Sequence, residues 1–145
     1  MRLLRLLPLL IVLPAAAIAD PSPASQLEGR WYGESYQPSL GKKTQEVMDR
    51  RADGTFEIEF RLYENCELKF DEKEAGRWSV NGRIYHTDTL YVNGRAVGTK
   101  LSFYHDDYEI ERLDTGEFTY RHVKSGVTAT SRKVGPDFIF PACGT

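Results

Sequence analysis

The sequence predicts an all-β domain, folded as a small up-and-down antiparallel barrel of about eight strands. From Leu27 onward, apolar and polar side chains alternate over roughly a hundred residues, as half-buried strands require. Hairpin-type turn signals interrupt this alternation at close spacing, so consecutive strands should be neighbours in the sheet. No helical window of useful length follows the N-terminal segment. A chain of 145 residues suits a single domain.

Residues 1–19 have the three-part layout of a secretory signal peptide. Two arginines precede a short apolar run, and Ala17-Ile18-Ala19 offers small residues where a signal peptidase reads, which predicts cleavage before Asp20. A membrane-spanning helix would need about 20 apolar residues. This run is shorter and contains Pro8 and Pro14. We therefore expect a periplasmic or secreted protein with no transmembrane segment in the mature chain.

The predicted mature chain is mildly acidic. The full chain has a net charge of −2, and cleavage removes two arginines but no acidic residue, which leaves −4 over 126 residues. Both signs of charge are interspersed, and this pattern suits a phosphate backbone poorly. Nucleic acid is therefore not an expected partner. No cofactor is expected, and the identity of any protein partner stays open.

The mature chain divides into a lead-in and a barrel. Residues 20–26 are rich in proline and serine, have no apolar face, and are predicted to form a flexible arm. Residues 27–145 are predicted to form the barrel domain, ending in the apolar C-terminal tail 137–141. The turn signals are Asp53-Gly54, Asn81-Gly82, Asn93-Gly94, Thr115-Gly116 and Ser125-Gly126. Strands are predicted near 29–37, 44–52, 55–64, 66–80, 83–93, 103–113, 117–123 and 127–134.

The chain has two cysteines, Cys66 and Cys143. In an oxidising compartment, an even pair in a small exported domain usually forms a disulfide. A redox site would favour a C-x-x-C pair, and a metal site would need more thiols or clustered histidines; the sequence has neither pattern. We therefore predict a structural disulfide between the two cysteines.

Three local motifs resemble those of the lipocalins. They are Gly29-Arg30-Trp31 in the first strand, Asp106-Asp107-Tyr108 before a late strand, and Arg132 in the last strand. The resemblance implies a calycin-type eight-stranded barrel, with Trp31 plugging one end and the Arg132 guanidinium packed over its ring as a cation–π pair. The first loop is short, and an apolar tail replaces the helix that follows the last strand. The chain thus resembles the compact lipocalin-like domains of exported bacterial proteins more than a full transport lipocalin.

Successive side chains of a strand point to opposite faces, so residues two apart share a face. This alternation, which we call parity, predicts which polar side chains face the barrel interior. If Phe118 and Tyr120 point inward, so does His122. By the same rule, Arg112 shares a face with Tyr108 and Ile110, and His86 shares a face with Ile84. The predicted ligand-binding residues are therefore Arg112, His122, Tyr120, Tyr108 and His86. Such a site would suit a ligand with an apolar body and an anionic head, because Arg112 could pair with a carboxylate.

Two other chemistries find little support in the sequence. His105-Asp106-Asp107 is a compact cluster of possible metal ligands, but zinc and copper sites usually contain paired imidazoles or thiolates. We therefore interpret the cluster as a solvent-exposed turn and predict no metal site. The glutamates at 57, 59, 109 and 111 lie on the polar faces of strands with alternating apolar and polar residues, so we expect them to face solvent on the outside of the barrel. No nucleophile elbow, phosphate-binding glycine-rich loop or Cys-His pair is present, so no catalytic residue is predicted.

The sequence therefore predicts an exported, non-catalytic, lipocalin-like protein that binds an apolar or amphipathic small molecule. Eight strands leave an interior that side chains can fill or that can hold one small ligand, and periodicity does not decide between the two. The alternatives are a filled structural barrel and a protein-binding module, such as a periplasmic protease inhibitor that uses the arm at residues 20–26.

Overall fold

The computed structural model describes residues 21–98 and 104–144. The predicted signal peptide at 1–19, the cleavage point before Asp20 and the predicted strand start at 103 lie outside these residues. A helix, α1 (Pro23–Leu27), precedes the sheet, and a 3₁₀ turn spans Pro38–Leu40. The strands are β1 (Gly29–Gln37), β2 (Lys42–Arg50), β3 (Thr55–Glu64), β4 (Glu67–Asn81), β5 (Ile84–Val92), β6 (Arg95–Ala96), β7 (His105–Leu113), β8 (Glu117–His122) and β9 (Thr128–Val134).

Eight of these strands close into an antiparallel up-and-down barrel, as the sequence predicts. Each long strand pairs with its neighbour in the chain, β5 pairs with β7, and β9 pairs with β1 to complete the ring. The two-residue strand β6 forms a short hairpin with the last two residues of β5 and takes no part in closure. Closure gives each of these eight strands a paired neighbour on both sides over part of its length. The sequence did not predict β6 or α1, because both are too short to have a period of their own.

The inner face of the barrel holds an aromatic and aliphatic core. Strand β3 shows the predicted alternation, since Phe56 and Ile58 are buried inside while Glu57 is exposed. The core comprises Leu27, Trp31, Met48, Phe56, Ile58, Trp78, Tyr85, Ile110, Phe118 and Tyr120.

One end of the barrel, the closed end, is covered by α1 and by Trp31. Pro23 begins the helix, and the Ser22 hydroxyl caps it by accepting a hydrogen bond from the Ser25 backbone N–H at 3.2 Å. Leu27, at the end of α1, is fully buried in the core. Its carbonyl accepts a 2.9 Å hydrogen bond from the indole Nε1 of Trp31. Four residues of α1, 23–26, fall in the segment that the sequence assigns to a flexible arm, and one of them, Ala24, packs against the core.

The cation over Trp31 is Lys133, and the prediction that Arg132 packs there is wrong. Lys133 lies opposite Trp31 in the β1–β9 pairing, and its Nζ is 5.3 Å from the indole centroid. Arg132 lies opposite Tyr32, and its guanidinium packs 5.1 Å from that ring on the outside of the barrel. Adjacent residues of a strand point to opposite faces. A residue paired with Tyr32 therefore shares the outer face, and its neighbour lies over Trp31.

The C-terminal tail runs from the closed end across the outside of β1, β2 and β3. Phe138 packs against Tyr32 with 4.8 Å between the centroids of the two tilted rings, and the Gln45 side-chain amide donates to the Pro141 carbonyl at 3.1 Å. The ring centroid of Phe140 lies 4.1 Å from the Arg61 guanidinium. These contacts bury Tyr32 and Gln45, although both lie on the outer face of the sheet.

The predicted disulfide is confirmed: Cys66 and Cys143 are bonded, with Cα atoms 5.2 Å apart. Asn65 and Cys66 form the two-residue turn between β3 and β4, and both have the positive φ of primed hairpin turns. This turn places Cys66 at the end of the barrel opposite α1, the open end, where the tail finishes. Within the described ranges, no helix has the length and apolar character needed to cross a membrane.

Candidate ligand-binding site inside the barrel

A cavity of about 150 Å³ lies among the inward-facing side chains of β2, β3, β4, β5, β7 and β8. Its apolar wall includes Met48, Ile58 and Phe60. The rest of its lining is polar. The polar side chains are Glu46, Arg50, Glu74, Tyr85, Thr87, Thr89, Asp106, Tyr108 and Tyr120.

This cavity continues toward the open end of the barrel. A second space of about 300 Å³, which we call the mouth, shares Glu46, Asp106, Tyr108 and Tyr120 with the cavity. His122, Val127 and Ala129 complete its lining. Because β8 ends at His122 and β9 begins at Thr128, the mouth lies at the end of the barrel away from α1. The mouth thus connects the cavity to the open end of the barrel beside His122.

Arg50 is the residue that distinguishes this interior. Its side chain is buried, with 3% of the residue exposed, and its Nε donates a 2.9 Å hydrogen bond to the Tyr85 hydroxyl. The guanidinium lies over two aromatic rings, 4.6 Å from the centroid of Tyr85 and 5.4 Å from that of Phe118. Among the described residues, its Nη1 has no hydrogen-bond partner, and no carboxylate forms an ion pair with it. The cavity thus contains a buried guanidinium whose donors are only partly used.

Glu46 faces the same space from β2. It accepts a 2.9 Å hydrogen bond from the Tyr120 hydroxyl. Burial raises the pKa of the Glu46 carboxyl, and this effect outweighs the opposing influences of the Tyr120 hydrogen bond and the Arg50 charge. Tyr120 is affected in turn, since burial and the Glu46 charge raise the pKa of its phenol. Both shifts favour the protonated forms of the two groups.

Glu74, from β4, is the second interior carboxyl group. It accepts a 2.7 Å hydrogen bond from the Thr89 hydroxyl, and burial raises its pKa, with the charges of Glu72 and Asp106 acting in the same direction. The ring of Tyr108 lies among the interior carboxylates. Burial raises the pKa of the Tyr108 phenol, and the charges of Asp106, Glu46 and Glu74 add to this effect.

Asp106 and His122 form a hydrogen-bonded pair at the mouth. The Ser125 backbone N–H donates to Nδ1 of His122 at 3.2 Å. The proton of the neutral ring therefore sits on Nε2, which lies 3.0 Å from a carboxylate oxygen of Asp106. His122 is in this way held at the entrance, with its ring 5.2 Å from that of Tyr108.

The structure brings together three of the five ligand-binding residues predicted from the sequence. Tyr108, Tyr120 and His122 meet around the mouth, and the rings of the two tyrosines are 5.3 Å apart in an edge-to-face arrangement. Strict alternation along β8 produces this grouping, because Phe118, Tyr120 and His122 share the inner face. Their role in binding stays a prediction.

Arg112 lies outside the barrel, so its predicted interior placement is wrong. A β-bulge between Ile110 and Arg112 shifts the register of β7 against β8. Ile110 points inward before the bulge, and Leu113 packs against the core after it. Arg112 is turned outward, where its side chain is 65% exposed and pairs with Asp114 and Glu117, each at 3.1 Å.

His86 also lies on the outer face. It shares that face with Ile84, as parity predicts, but the inward residue of this part of β5 is the fully buried Tyr85. The imidazole joins two carboxylates, with Nδ1 2.6 Å from Asp107 and Nε2 2.9 Å from Asp88. Asp88 also accepts a hydrogen bond from His105. Desolvation lowers the pKa of His86, but the hydrogen bonds to Asp107 and Asp88 outweigh it and raise the pKa above its ordinary value.

His86 should stabilise the protein more at acidic than at alkaline pH. Its folded pKa is raised, so its contribution is fully present below about pH 6.5, the ordinary value, and is lost as the pH rises through the folded pKa. The free energy of unfolding of His86→Gln, measured by urea denaturation, should differ from that of the wild type more at pH 5.5 than at pH 9. Asp107→Asn should remove part of the same pH dependence. A difference that is constant with pH would contradict this assignment.

Sequence reasoning missed Arg50, Glu46 and Glu74, and it placed Asp106 in a solvated turn. A signal for the first two existed in the hairpin between β2 and β3. Its Asp53-Gly54 turn sets the register so that Arg50 lies opposite Phe56 and Met48 lies opposite Ile58. Residues 46, 48 and 50 therefore share the inner face with the apolar residues of β3. Charged side chains at 46 and 50 concealed this relation from a search for apolar alternation.

A comparison with protein-family models finds no match to this chain, and a search of curated proteins also finds none. The function is therefore inferred from the geometry of the cavity and its mouth.

Proposed function

We propose that this chain is an exported, non-catalytic, lipocalin-like binding protein whose interior takes up a small amphipathic molecule. The anionic group of that molecule pairs with Arg50, and its apolar part lies against the wall of the cavity. One observation carries the proposal: Arg50 is buried beside a cavity of about 150 Å³, with Nη1 unpartnered among the described residues.

The energetics of a buried arginine support an anionic ligand group. Removing a charged group from water costs several kcal/mol unless a counter-charge and hydrogen bonds offset the loss. The Tyr85 hydroxyl and two aromatic faces satisfy the Arg50 guanidinium only in part. A carboxylate in the cavity could accept from the remaining donors, and such charge-assisted bonds are among the strongest available in a dry site.

The cavity wall supports an apolar part of modest size. Met48, Ile58 and Phe60 give one flank, and Tyr85 and Tyr108 stack at 5.6 Å to give another. Binding sites for small molecules commonly combine an apolar lining with a few convergent polar groups. The proposal of export is supported by the signal-like residues 1–19 and by the disulfide.

Hexanoate is a suitable first probe, since it joins one carboxylate to a short apolar chain. Isothermal titration calorimetry of residues 20–145 should detect its binding, and Arg50→Met should weaken that binding at least tenfold because the buried guanidinium that pairs with the carboxylate is lost. Arg112→Met is the matched control. It removes an exposed arginine that contacts neither the cavity nor the mouth, and it should leave the affinity unchanged.

Two outcomes would contradict the proposal. One is hexanoate binding that is equal in the wild type and in a folded Arg50→Met variant, with folding checked by near-UV circular dichroism. The other is a gently purified protein that carries no small molecule in native mass spectrometry and also takes up no carboxylate probe.

A further inference from the structure

We propose that the ligand is a small zwitterion in extended form, with an anionic group at Arg50 and an ammonium group received by Glu46, Glu74 and Asp106 nearer the mouth. This inference rests on the proposed function and adds the second charge of the ligand. It names a class of molecule, the ω-amino acids and molecules of similar shape, in which several bonds separate the two charges.

The first support is the charge balance of the lining. Among the described residues that line the cavity and the mouth, three are carboxylic acids, and the basic side chains are Arg50 and His122. His122 is already committed to Asp106 by a 3.0 Å hydrogen bond. Among these described residues, carboxylic acids therefore outnumber basic side chains.

The second support is the bonding of these carboxylic acids. In the part of the chain that the structure describes, neither Glu46 nor Glu74 pairs with a lysine or an arginine; their partners are the neutral hydroxyls of Tyr120 and Thr89. Other glutamates of the barrel, such as Glu57 and Glu59, do pair with arginines, on the outer face. Burial raises the pKa of both interior glutamates, so the free protein holds them at an energetic cost. An ammonium group beside them would reduce that cost.

The third support is the aromatic surroundings. Tyr108 lies among Glu46, Glu74 and Asp106, and its ring meets that of Tyr120 edge to face at 5.3 Å. A cation near such faces is stabilised by the ring quadrupole in addition to the carboxylates. Carboxylates combined with aromatic rings are suited to an alkylammonium group, whose attached carbons are apolar.

The order of residues along β2 sets the separation of the two charges. Glu46 and Arg50 are four residues apart on the inner face of one strand, which corresponds to about 13 Å between their backbones. Arg50 lies opposite Phe56 toward the closed end, whereas Glu46 and Asp106 line the mouth. An α-amino acid, whose charges are adjacent, would not reach both groups. A chain of several methylenes would.

Calorimetric titration of residues 20–145 with 6-aminohexanoate, hexanoate and hexylamine tests the inference. We expect 6-aminohexanoate to bind at least tenfold more tightly than hexanoate and to outcompete norleucine, an α-amino acid of the same carbon number. Glu74→Gln should abolish most of this advantage while leaving the affinity for hexanoate nearly unchanged. Glu57→Gln, which alters an exterior carboxylate paired with Arg51, is the matched control and should change neither affinity.

The outcomes separate this inference from the proposed function. If hexanoate binds in an Arg50-dependent way and the added amine gives no advantage, the zwitterion is excluded and the anion-binding function stands. If the advantage survives in both Glu74→Gln and Glu46→Gln, the carboxylates do not receive the ammonium group and the inference fails. If none of the probes binds, both the inference and the proposed function are wrong.

Discussion

Replacing Trp31 by alanine is expected to lower the free energy of unfolding by about 3–5 kcal/mol, as is typical for a large aromatic residue deleted from a core. Trp31 is 1% exposed, lies 6.1 Å from Phe118 in an edge-to-face contact, and holds α1 through its hydrogen bond to the Leu27 carbonyl. The substitution removes the ring and also the donor that fixes the helix. Urea denaturation followed by far-UV circular dichroism would measure the loss.

Two further variants make this result specific to the closed end. Trp31→Phe keeps an aromatic ring but lacks the indole N–H, so it should cost less than the alanine variant. Tyr36→Ala removes an aromatic ring that is 63% exposed near the open end, and it should change stability by less than about 0.5 kcal/mol. A loss below about 1 kcal/mol for Trp31→Ala would show that the closed end does not depend on this residue.

Removing the disulfide in a Cys66→Ser, Cys143→Ser double variant should cost about 4 kcal/mol. The two cysteines are 77 residues apart, and the chain-entropy model assigns roughly that amount to a closed loop of this length. The tail contacts at Tyr32 and Gln45 should weaken as well, because the far end of the tail is no longer tied to the β3–β4 turn. The free energy of unfolding in urea, without reductant, is the quantity to compare.

Reducing the disulfide of the wild-type protein measures the same loss in the free energy of unfolding independently. The reduced wild type and the double serine variant should agree to within about 1 kcal/mol, since both lack the covalent closure. Hydrogen exchange should show where stability is lost, with the largest gain in exchange expected in β1, β2 and β3 beneath the tail. Unchanged stability in both proteins would mean that noncovalent contacts alone hold the tail.

The fold was predictable because short stretches of sequence determine its strands and its turns. Alternation places Phe56 and Ile58 inside, and turn dipeptides such as Asn93-Gly94 mark the hairpins. In an up-and-down barrel each strand pairs with the next, so correct strands and turns already define nearly all of the topology. The closing contact between β9 and β1 follows from counting strands, since eight strands close at a favourable diameter.

The site was predictable only in part, because inward polar residues break the pattern that identifies an inner face. Arg50 and Glu46 look like exterior residues until the pairing with β3 fixes their direction. Arg112 fails for a different reason: a single bulged position reverses the parity of everything that follows it. Arguments from the alternation of faces therefore hold over short strands such as β8, where they placed Tyr120 and His122 correctly. They fail across a β-bulge, because no residue near the bulge reveals it in the sequence.

The disulfide also sets how the molecule would respond to mechanical tension. When the chain is pulled from residue 21 and residue 144, the force passes along residues 21–66, crosses the sulfur–sulfur bond to Cys143, and leaves through the end of the tail. The covalent loop from 67 to 142 carries no tension along its backbone. It contains β4 to β9, with about half of the residues that line the cavity. In the oxidised protein, tension can therefore extend β1, β2 and β3 but not β4 to β9, whereas in the reduced protein β9 and the strands before it can be extended as well.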